Sequence, residues 1–521
     1  MHPLICVVIK GPSIDEVKQQ LHVASKNADL VEWRLDWFNF LDYKKLESLV
    51  PICPLPSIFT LRPEREGGGF RGSESERLQT FEQLLMLLPA YVDIEWNVER
   101  TFIENIRKKI PATRLILSYH HFSTAFKPNL LPMNGSDSNP TAFIGSKLGF
   151  NDLESILQKM KKVPADYYKI ATMSDSALDA LKIMEFAKGR SEPLIAIAMG
   201  EKGQTSRIAG PLAGISMAYA SIESSTNSLG QLSAKELAEV YRYKNLNTES
   251  QLFGLIGNPV DKSPGHLTHN AVFAYHGINA LYVKIPIDES EIGDFFTLGS
   301  SFFTGLSVTM PLKEAIMPYL KYVDQEAREI GAVNTLVFRE NEAFGYNTDG
   351  MGALNALEAY GSVLHKRLII IGAGGTARAI AYEAKKRGAE VYICNRNQDK
   401  AKILAKDFDC FWSGLDGIKQ MANRGYDILV NATPESMPIE PEAILAGTMA
   451  MDVKSNPAST DFLKAAFEKG CHIISGYEMF IEQAVGQFRH WFGDRLDSEK
   501  VREIIRLQEK QEPFKCIFKS Q

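Results

Sequence analysis

Eight short apolar runs, separated by stretches of helical pattern, fill roughly the first 235 residues and constrain the fold more than any other sequence feature. Strands that alternate with helices, such as those predicted over 152–162 and 176–188, are typical of parallel sheets. Eight such units predict a closed (β/α)8 barrel. The predicted strands are Leu4–Ile9, Asp29–Leu35, Ser57–Leu61, Tyr91–Glu95, Arg114–Ser118, Tyr167–Ala171, Leu194–Ala198 and Ile215–Ser221.

The rest of the chain divides into further α/β segments. Residues 232–247 are predicted to form a helix followed by a short polar connector. A new apolar run starts at Leu252, and another α/β unit opens at Lys366. The tail from Tyr477 to Arg506 has a helical pattern, with Asp497 or Ser498 as an N-cap. We therefore predict three domains: a barrel over 1–240, an α/β domain over 250–358 completed by helices within 477–521, and a Rossmann-like domain over 359–476.

Composition narrows the possible partners and compartments. The net charge of −5, from 58 basic and 63 acidic residues, gives no reason to expect nucleic acid or an anionic membrane as partner. The six cysteines form no C-x-x-C pair, which favours a reducing compartment. We find neither a signal peptide nor an apolar run long enough to span a membrane. The expectation is a cytoplasmic protein whose partners are small molecules, with its oligomeric state left open.

Polar residues recur where the predicted barrel strands end, which is where barrel enzymes carry their active sites. Lys169 is the most informative of them, because a buried lysine is costly unless it is paired or neutral. Burial and neighbouring cations such as Arg62 and Arg207 would favour a neutral amine. The other polar residues at these ends are Glu32, Arg34, Glu66, His120, Asn227 and Gln231.

This constellation predicts imine chemistry on a small anionic keto acid. A neutral Lys169 amine can attack a carbonyl to form a Schiff base, and His120 can act as general acid and base. Glu66 could orient the histidine, and the arginines could hold a carboxylate. Taken singly, Lys169 could instead be a structural ion-paired lysine, His120 could lie in a surface loop, and Glu66 could belong to a flexible loop. A Schiff-base aldolase is the alternative enzyme.

The same residues resemble type I 3-dehydroquinate dehydratase over about 230 residues. The family is a (β/α)8 barrel that removes water from 3-dehydroquinate through a lysine imine. The resemblance implies Lys169 as the Schiff-base lysine, His120 as the proton-transfer group with Glu66 beside it, and Arg207 on the substrate carboxylate. Glu32, Arg34, Arg62 and Gln231 would line the pocket. Asn227 stands where the family usually has serine, so we expect altered affinity. The matching pieces are VEWRLDW (31–37), TLRPEREGG (60–68), VDIEW (92–96), SYHHF (118–122), YKIAT (168–172) and MGEKGQTSR (199–207).

A glycine-rich turn in the second half predicts a dinucleotide site. The segment Gly372-Ala373-Gly374-Gly375-Thr376-Ala377 lies between a predicted strand and a predicted helix, where backbone N–H groups can approach a pyrophosphate. After the next strand comes Asn395-Arg396-Asn397 in place of the acidic residue that binds the ribose of NAD. An arginine there favours the 2′-phosphate of NADP, although Arg396 could also be an ordinary solvent-facing residue.

Lys313 and Asp349 are candidate proton-transfer partners for a dehydrogenase, although each alone could be a surface residue. Residues 252–493 resemble shikimate dehydrogenase, which reduces 3-dehydroshikimate with NADPH. The resemblance implies a catalytic Lys313–Asp349 pair, a substrate held by Ser263, Thr309, Asn334 and Gln483, and a cofactor held by the glycine turn and 395–397. The matching stretches are GLIGNPVDKSPGHLTHN (254–270), GLSVTMPLK (305–313), GAVNT (331–335), GYNTDG (345–350), GAGGTARA (372–379), NRN (395–397), NATPESM (431–437) and GYEMFIEQ (476–483).

Three positions in this half depart from the family. Gly265 replaces a serine, Ser455 replaces a tyrosine and Asn397 replaces a threonine. Lost hydrogen bonds to a charged group may each cost about 1.5–3 kcal/mol. The smaller Gly265 and Ser455 could also leave room for the extra hydroxyl of quinate, or the module could be a decayed binding domain. The pair His266 and His269 lacks a third ligand, so we expect no metal site.

The two resemblances together imply a lyase and an oxidoreductase of one pathway in one chain. The first half would dehydrate 3-dehydroquinate, and the second half would reduce the product to shikimate with NADPH. Quinate as substrate of the second half, or a second half without catalysis, remains the alternative.

Overall fold

The computed structural model describes residues 2–39, 41–122, 150–223, 230–457 and 459–509. Contacts divide the chain into two compact units, Met1–Gln251 and Leu252–Gln521. Within the described ranges, no helix is long and apolar enough to cross a membrane.

Unit 1 is an eight-stranded, wholly parallel sheet with the strand order β7-β6-β5-β4-β3-β2-β1-β8. Helices follow most strands, as the alternating pattern predicts. The strands are β1 (Leu4–Ile9), β2 (Leu30–Arg34), β3 (Ser57–Thr60), β4 (Tyr91–Glu95), β5 (Arg114–His121), β6 (Tyr167–Met173), β7 (Leu194–Met199) and β8 (Met217–Ala220). The helices are α1 (Ile14–Ala24), α2 (Tyr43–Leu49), α3 (Glu74–Leu85), α4 (Arg100–Lys109), α5 (Phe150–Met160), α6 (Ala177–Ala187), α7 (Gln204–Ala209) and α8 (Ala234–Glu239).

The barrel prediction is confirmed, with one difference at the seam between β7 and β8. All four residues of β8 pair with β1, from Leu4 opposite Met217 to Val7 opposite Ala220. Towards β7, the described residues offer two bonds from Ser216, whose N–H and hydroxyl each donate to the Leu194 carbonyl at 3.2 Å. The sheet is therefore nearly closed, because a four-residue strand pairs fully on one side only.

Strand register brings the polar residues of unit 1 to one end of the barrel. In the parallel ladders Thr60 lies opposite Asp93, Glu95 opposite Ser118, and Ser118 opposite Lys169. Residues two apart on a strand face the same side, so Asp93 and Glu95 share a face. Apolar side chains such as Cys6, Ile58 and Ile116 fill the barrel interior beneath them.

Unit 2 contains two six-stranded sheets. The first is mixed, in the order β10-β9-β11-β13-β14-β12, and the second is wholly parallel, in the order β17-β16-β15-β18-β19-β20. The first sheet comprises β9 (Gln251–Gly257), β10 (Ala280–Pro286), β11 (Phe303–Val308), β12 (Tyr322–Val323), β13 (Thr335–Arg339) and β14 (Glu342–Tyr346); the second comprises β15 (Arg367–Ile371), β16 (Glu390–Cys394), β17 (Phe411–Ser413), β18 (Ile428–Asn431), β19 (Met449–Asp452) and β20 (His472–Ile474).

The parallel sheet has the doubly wound strand order of a Rossmann-type fold, as the sequence predicts. The helices of unit 2 are α9 (Gly265–Tyr275), α10 (Ile292–Gly299), α11 (Leu312–Ala315), α12 (Gln325–Ile330), α13 (Asp349–Glu358), α14 (Gly375–Lys386), α15 (Gln398–Asp407), α16 (Gly417–Arg424), α17 (Asp461–Glu468), α18 (Gly476–Phe492) and α19 (Ser498–Glu509).

The helical tail packs on the first sheet of unit 2. Phe488 and Trp491 of α18 and Ile505 of α19 share an apolar core with Phe253 of β9. The Asp497 carboxylate accepts a hydrogen bond from the Glu499 N–H at 3.1 Å and so caps α19. Of the two N-cap candidates, Asp497 is therefore the one used.

The predicted helix with a short connector over 232–247 agrees with the structure, in which α8 ends at Glu239 and Arg242 adopts a left-handed backbone with φ of 49°, which a helix cannot accommodate. Some strand boundaries differ from the sequence predictions. Strand β8 is shorter than the predicted Ile215–Ser221 and spans Met217–Ala220. Strand β5 runs three residues beyond its expected end at Ser118, because His120 and His121 continue the ladder with β6. His120 is therefore a strand residue rather than part of a surface loop.

Candidate active sites

One cavity of about 240 Å³ opens among the barrel strand ends. Eight of the nine site residues predicted for this half line it; the ninth, Asn227, lies outside the described residues. The eight are Glu32, Arg34, Arg62, Glu66, His120, Lys169, Arg207 and Gln231. The expectation that these strand ends converge on one place therefore agrees with the structure.

Lys169 lies in the middle of β6 and is only 4% exposed. Its ammonium group donates a hydrogen bond to Asp93 at 3.0 Å and lies 3.7 Å from a Glu32 oxygen. The same nitrogen lies 3.9 Å from the centre of the Tyr219 ring, a cation–π distance. Its nearest charged groups are thus carboxylates, not the cations that we expected to favour the neutral amine.

Arg62 does not stand free beside Lys169, because two carboxylates of β4 bind it. Its guanidinium donates to Asp93, Glu95 and the Ser118 hydroxyl at 2.7, 2.7 and 2.9 Å. Burial raises the pKa of Asp93, but the charges of Arg62 and Lys169 outweigh burial and hold the pKa far below its usual range. Asp93 therefore stays ionised and holds both cations in place.

Sequence analysis assigned no role to Asp93 or Glu95. The available signal was the pattern of VDIE, in which two acids alternate with apolar residues in a strand that is buried throughout. Two carboxylates on one buried face need cationic partners. That requirement indicates a polar network at this strand, although it does not identify the partners.

Glu66 and His120 face each other across the cavity, with 3.7 Å between the Glu66 Oε2 and His120 Nδ1 atoms. That distance is too long for a hydrogen bond. Burial and repulsion from Glu95 raise the pKa of Glu66 to about 8. Burial, followed by the charges of Arg62 and Lys169, lowers the pKa of His120 well below its ordinary value. At neutral pH the pair therefore consists of a neutral imidazole beside a largely protonated carboxyl group.

Arg207, in α7, is the cation of this cavity that has room for an anionic ligand. One of its terminal nitrogens donates to the Gly230 carbonyl at 2.7 Å, but its Nε atom has no hydrogen-bond acceptor among the described residues. Burial lowers its pKa to about 10. Arg34, by contrast, already forms a two-pronged ion pair with Asp36, at 2.9 and 2.7 Å. A buried arginine without a carboxylate partner suits a ligand that brings one.

In unit 2, Lys313 and Asp349 form an ion pair. Lys313 is the second residue of the short helix α11. Asp349 is the first residue of α13, and the Asn334 amide donates to its second carboxylate oxygen at 2.8 Å. The same amide nitrogen lies 3.4 Å from the Gln483 side-chain oxygen. The ammonium group of Lys313 also donates to the Thr376 hydroxyl at 2.8 Å. The structure thus joins five residues that the sequence could not pair.

Ser263 and Thr309 lie at the same edge of the first sheet of unit 2. Ser263 is in the loop after β9, and Thr309 follows β11, which pairs in parallel with β9. The Ser263 hydroxyl accepts a hydrogen bond from the Gly265 N–H at 3.2 Å. Because parallel strands end together, both residues lie beside the carboxyl ends of these two strands.

The glycine turn fits a dinucleotide. Gly372 has a φ of 122°, in the range that favours glycine, and a Cβ there would approach the Ala432 carbonyl oxygen to 2.9 Å. At Gly374 a Cβ would meet nothing within 4 Å, so the space above the turn is open. The N-cap residue of α14 is Gly374, which has no side chain to bond the first N–H groups of the helix. The N–H groups of Gly375, Thr376 and Ala377 are therefore suited to bind a phosphate. Ala373 completes the turn.

Arg396 is exposed just after β16 and has no ion pair with any described residue. Its guanidinium is therefore available to bind a 2′-phosphate. Asn397 has a structural task, because its side chain caps α15 by accepting from the Lys400 N–H at 3.2 Å. The Asn395 amide donates to the Asn397 carbonyl at 2.9 Å. The side chain of Asn397, which the sequence predicted to help hold the cofactor, therefore caps α15.

The expectation of extra room at Gly265 is wrong. A Cβ at this position would lie 3.0 Å from the Tyr282 ring, 3.2 Å from its hydroxyl and 3.3 Å from the Ser263 hydroxyl. Tyr282 is 1% exposed and is fixed by a 2.8 Å hydrogen bond to Ser307. The volume that a larger residue would take is therefore filled by a tyrosine ring, and no opening for an additional substrate hydroxyl results.

Ser455 lies in the turn after β19. The next residue, Asn456, donates a hydrogen bond from its side-chain amide to the Lys262 carbonyl at 3.1 Å, which brings this turn beside the loop of Ser263.

His269, the second histidine of the H-x-x-H pair, stacks between the rings of Tyr282 and Phe488, with ring-centre distances of 4.2 and 5.0 Å. The residues described contain no group of three or more potential metal ligands.

Comparison with known families agrees with this geometry. The family model for type I 3-dehydroquinase matches residues 5–134 and 139–248. Models for the shikimate dehydrogenase substrate-binding domain, shikimate/quinate 5-dehydrogenase and the shikimate 5′-dehydrogenase C-terminal domain match 255–336, 355–458 and 476–506.

Full-length relatives carry both halves. The shikimate biosynthesis protein AroDE of Chlamydia pneumoniae is 35% identical over 503 residues, covering 95% of this chain and 97% of its own. The chain belongs to the family of bifunctional 3-dehydroquinate dehydratase/shikimate dehydrogenase enzymes. A chloroplastic bifunctional relative from Arabidopsis thaliana is 31% identical, over 94% of this chain and 82% of its own.

Membership fixes the two activities. Unit 1 carries a dehydroquinase, a lyase, and unit 2 carries an NADP-dependent shikimate dehydrogenase, both of the shikimate pathway. The NADP(+)-dependent shikimate dehydrogenase of Pyrococcus furiosus is 38% identical over 264 residues, which cover 50% of this chain and 96% of its own. Neither an enzyme of quinate alone nor a decayed binding module is favoured.

Proposed function

We propose that the residues gathered in each site perform the two reactions in sequence. Unit 1 would dehydrate 3-dehydroquinate to 3-dehydroshikimate, and unit 2 would reduce 3-dehydroshikimate to shikimate. The observation that carries the first proposal is the buried Lys169 in a cavity that also holds His120, Glu66 and Arg207, whose Nε atom has no hydrogen-bond acceptor among the described residues. The observation that carries the second is the Lys313–Asp349 pair beside the glycine turn.

We propose three domains behind these activities: 1–240, 250–358 completed by helices within 477–521, and 359–476. Support comes from the three separate sheets and from the apolar core that α18 and α19 share with β9. By contacts, the first unit extends to Gln251, whereas the predicted barrel ends at residue 240, so residues 241–251 group with the barrel.

Imine formation begins with substrate binding in the barrel. The substrate carboxylate would meet Arg207, with Arg34 and Gln231 at the cavity wall and Asn227 as a further polar contact. Lys169 must lose a proton before its nitrogen can attack the ketone carbon, and Glu32, 3.7 Å away, is the adjacent acceptor. Asp93 stays ionised and orients the lysine. Attack gives a carbinolamine, which loses water to leave a protonated imine. Arg62 keeps Asp93 in place throughout.

Elimination then follows at the neighbouring carbon. The neutral His120 would take a proton from the carbon next to the imine, and the electrons would form the new double bond as the hydroxyl leaves. The same imidazole would return its proton to the leaving hydroxyl, giving water. Glu66, 3.7 Å away, would orient the imidazole. Hydrolysis of the imine by water restores Lys169 and releases the enone acid.

Borohydride trapping tests this sequence. Sodium borohydride added with 3-dehydroquinate should reduce the imine and leave one stable adduct, located on Lys169 by peptide mass spectrometry. An adduct on another lysine, or none, would refute the assignment. Carbon–carbon cleavage products would indicate an aldolase instead.

Reduction in unit 2 needs a hydride and a proton on opposite ends of one carbonyl. NADPH supplies the hydride when it is bound, with the pyrophosphate at 372–377 and the 2′-phosphate at Arg396 and Asn395. Ser263, Thr309, Asn334 and Gln483 would hold the substrate. The Lys313 ammonium group would protonate the carbonyl oxygen as it becomes an alcohol, and the Asp349 carboxylate would orient Lys313. A proton from solvent would then restore the ammonium group. Thr376 would fix the same nitrogen from the cofactor side.

Nicotinamide absorbance tests the second reaction. The protein with 3-dehydroshikimate and NADPH should oxidise the cofactor rapidly, whereas quinate with NADP+ should react weakly. Substitution of Lys313 by alanine should abolish the reduction of 3-dehydroshikimate, while cofactor binding persists. A protein that binds NADPH but turns over neither substrate would instead be a binding module.

We further propose small molecules as the sole partners of both sites and the cytoplasm as the place of work. The near balance of basic and acidic residues supports this, since nucleic-acid-binding proteins usually carry an excess of basic residues. Cell fractionation with an antibody against the protein tests the location: recovery in the membrane pellet would contradict it.

A further inference from the structure

Arg77 is an arginine that the dehydratase mechanism above does not use, yet it is 1% exposed. It lies in the first turn of α3, whose start is fixed by a capping box between Ser73 and Glu76. Its guanidinium binds Glu74 through two hydrogen bonds, at 3.0 and 2.7 Å. A residue held this firmly in the interior has a defined task for its remaining donors.

Those donors reach the strands that carry the active site. One terminal nitrogen of Arg77 donates to the Leu61 carbonyl at 2.7 Å, and the other lies 2.9 Å from the Oε2 atom of Glu95. Leu61 directly precedes Arg62, and the other Glu95 oxygen accepts from Arg62. Arg77 therefore holds Arg62 from two sides, through its backbone neighbour and through its ion-pair partner.

The contacts continue from there to the reactive lysine. Arg62 spans Glu95 and Asp93, and Asp93 accepts from Lys169. Arginines and carboxylates alternate along this path, so each carboxylate has cations on both sides. Without Arg77, the Oε2 atom of the buried Glu95 would face no cation, and Glu95 would gain freedom to pull Arg62 away from Asp93.

We propose that Arg77 is a positioning residue for the dehydratase reaction. It fixes Glu95 and the Leu61 carbonyl so that Arg62 keeps Asp93 aligned with Lys169. The inference rests on the proposed role of Lys169, and it concerns a residue outside the cavity wall, which is lined by Arg62 but not by Arg77.

The charge of Arg77 also acts on Glu66. Glu66 precedes α3 in the chain, and repulsion from Glu95 is one cause of its high pKa, which the positive charge of Arg77 opposes. Removal of that charge should therefore raise the pKa of Glu66 further. The charged or titratable groups that face Glu66 are Arg62, Arg65, Arg77, Glu95, Tyr119 and His120.

The test compares Arg77→Met and Arg77→Lys with the wild type in the full chain. Arg77→Met should lower dehydratase kcat roughly 100-fold, the scale of a misplaced catalytic group. Arg77→Lys keeps the charge and should recover most of that loss. Dehydrogenase activity of the same protein should stay within about twofold in both, because the change lies in the other unit. Arg100→Met is the matched control, since Arg100 forms an exposed ion pair with Glu104 in the neighbouring helix α4.

Two further readouts separate positioning from loss of folding. The fraction of Arg77→Met protein that borohydride traps with 3-dehydroquinate counts the folded barrels, and kcat is expressed per trapped site. The inflection that Glu66 gives to the pH profile of dehydratase kcat/KM should move to higher pH by roughly half a unit or more in Arg77→Met, but not in Arg77→Lys.

Wild-type kcat per trapped site, or an unmoved inflection in Arg77→Met, would overturn the inference. No adduct on Lys169 in the wild type would instead overturn the proposed imine mechanism itself, so the two failures can be told apart.

Discussion

The two active sites hold their reactive lysines in opposite ways. Lys169 lies within a strand, with its side chain 6% exposed, and its polar neighbours Asp93 and Glu32 come from strands of the same sheet. Lys313 lies in a short helix after a strand, with its side chain 15% exposed. Its partners Asp349 and Thr376 lie at the starts of helices that follow strands of different sheets. One site is built into a single sheet, and the other is assembled from two.

The difference follows from what each lysine does. A nucleophilic lysine needs a fixed position beside groups that hold it and take its proton, which a strand inside a barrel provides. A proton donor in a hydride transfer must meet both a substrate and a cofactor that enter from outside. A position between the substrate sheet and the cofactor turn serves that need, at the cost of more exposure.

Exchange of each lysine for methionine gives the largest expected effect and separates the two sites. Lys169→Met should lower dehydratase turnover by at least about 10⁴-fold, because covalent catalysis is lost. Lys313→Met should do the same to the reductase, measured by nicotinamide absorbance. Each variant is the control for the other, since the untouched activity reports an intact chain. Loss of both activities in one variant would contradict two independent sites.

Removal of the carboxylate partner of each lysine sharpens the comparison. Asp93→Asn should lower dehydratase activity and also destabilise unit 1 by about 3–5 kcal/mol, because Arg62 and Lys169 then lose a buried anion. Asp349→Asn should lower reductase kcat by roughly 10²- to 10³-fold, with a smaller loss of stability than Asp93→Asn, because its ion pair is less buried.

The measurements are kcat for each activity and the midpoint of thermal inactivation for each. Equal destabilisation by Asp93→Asn and Asp349→Asn would mean that the two lysine–carboxylate pairs are held alike, contrary to the comparison.

The two sites also differ in how many of their residues could be predicted from the sequence. The barrel residues could be placed together because parallel strands end at one face, so that any polar residue at a strand end is a candidate. Glu32, His120 and Lys169 were found in this way. Asp93 and Arg77 were not found in this way. The pairing of cations with carboxylates depends on contacts between strands and helices, and sequence periodicity does not encode these contacts.

In unit 2 the sequence identified residue types but not their pairing. Lys313 and Asp349 are 36 positions apart, and the contact of Lys313 with Thr376 spans 63. The substitution at Gly265 was misread for the same reason. The ring that fills the space belongs to Tyr282, on the strand after α9, and its position is a result of packing.

The pH dependence of stability gives an effect of intermediate size that is specific to unit 1. The pKa of Glu66 is raised from an ordinary value of 4.5 to about 8, so the folded state binds this proton more tightly than the unfolded state. Its contribution to stability is complete below pH 4.5 and is lost as the pH rises to about 8. Wild-type dehydratase should therefore lose a few kcal/mol across that window, and Glu66→Gln should lose less.

Thermal inactivation of the dehydratase, measured from pH 5 to 8, checks this expectation. The reductase, followed in the same samples, serves as the reference for general effects of pH. An identical pH slope for wild type and Glu66→Gln would show that Glu66 is not the titrating group.

Substitution of Gly265 should have the smallest effect, and it tests how the substrate carboxylate is held in unit 2. Gly265→Ala adds a Cβ at 3.0 Å from the Tyr282 ring, which the ring can relieve only by a small shift, so we expect KM for 3-dehydroshikimate to rise by a few fold. Gly265→Ser adds the same crowding together with a hydroxyl that can donate to the carboxylate, a bond worth about 1.5–3 kcal/mol. The two terms oppose each other, so the KM of Gly265→Ser should stay within about fivefold of wild type and below that of Gly265→Ala. Steady-state kinetics of both variants isolate the effect of the hydroxyl, because the crowding is common to them.

Since Tyr282 already fills this space, neither the wild type nor the variants should oxidise quinate faster than shikimate. Faster quinate oxidation by the wild type would show that the substrate gains room elsewhere, with Ser455 as the next position to change.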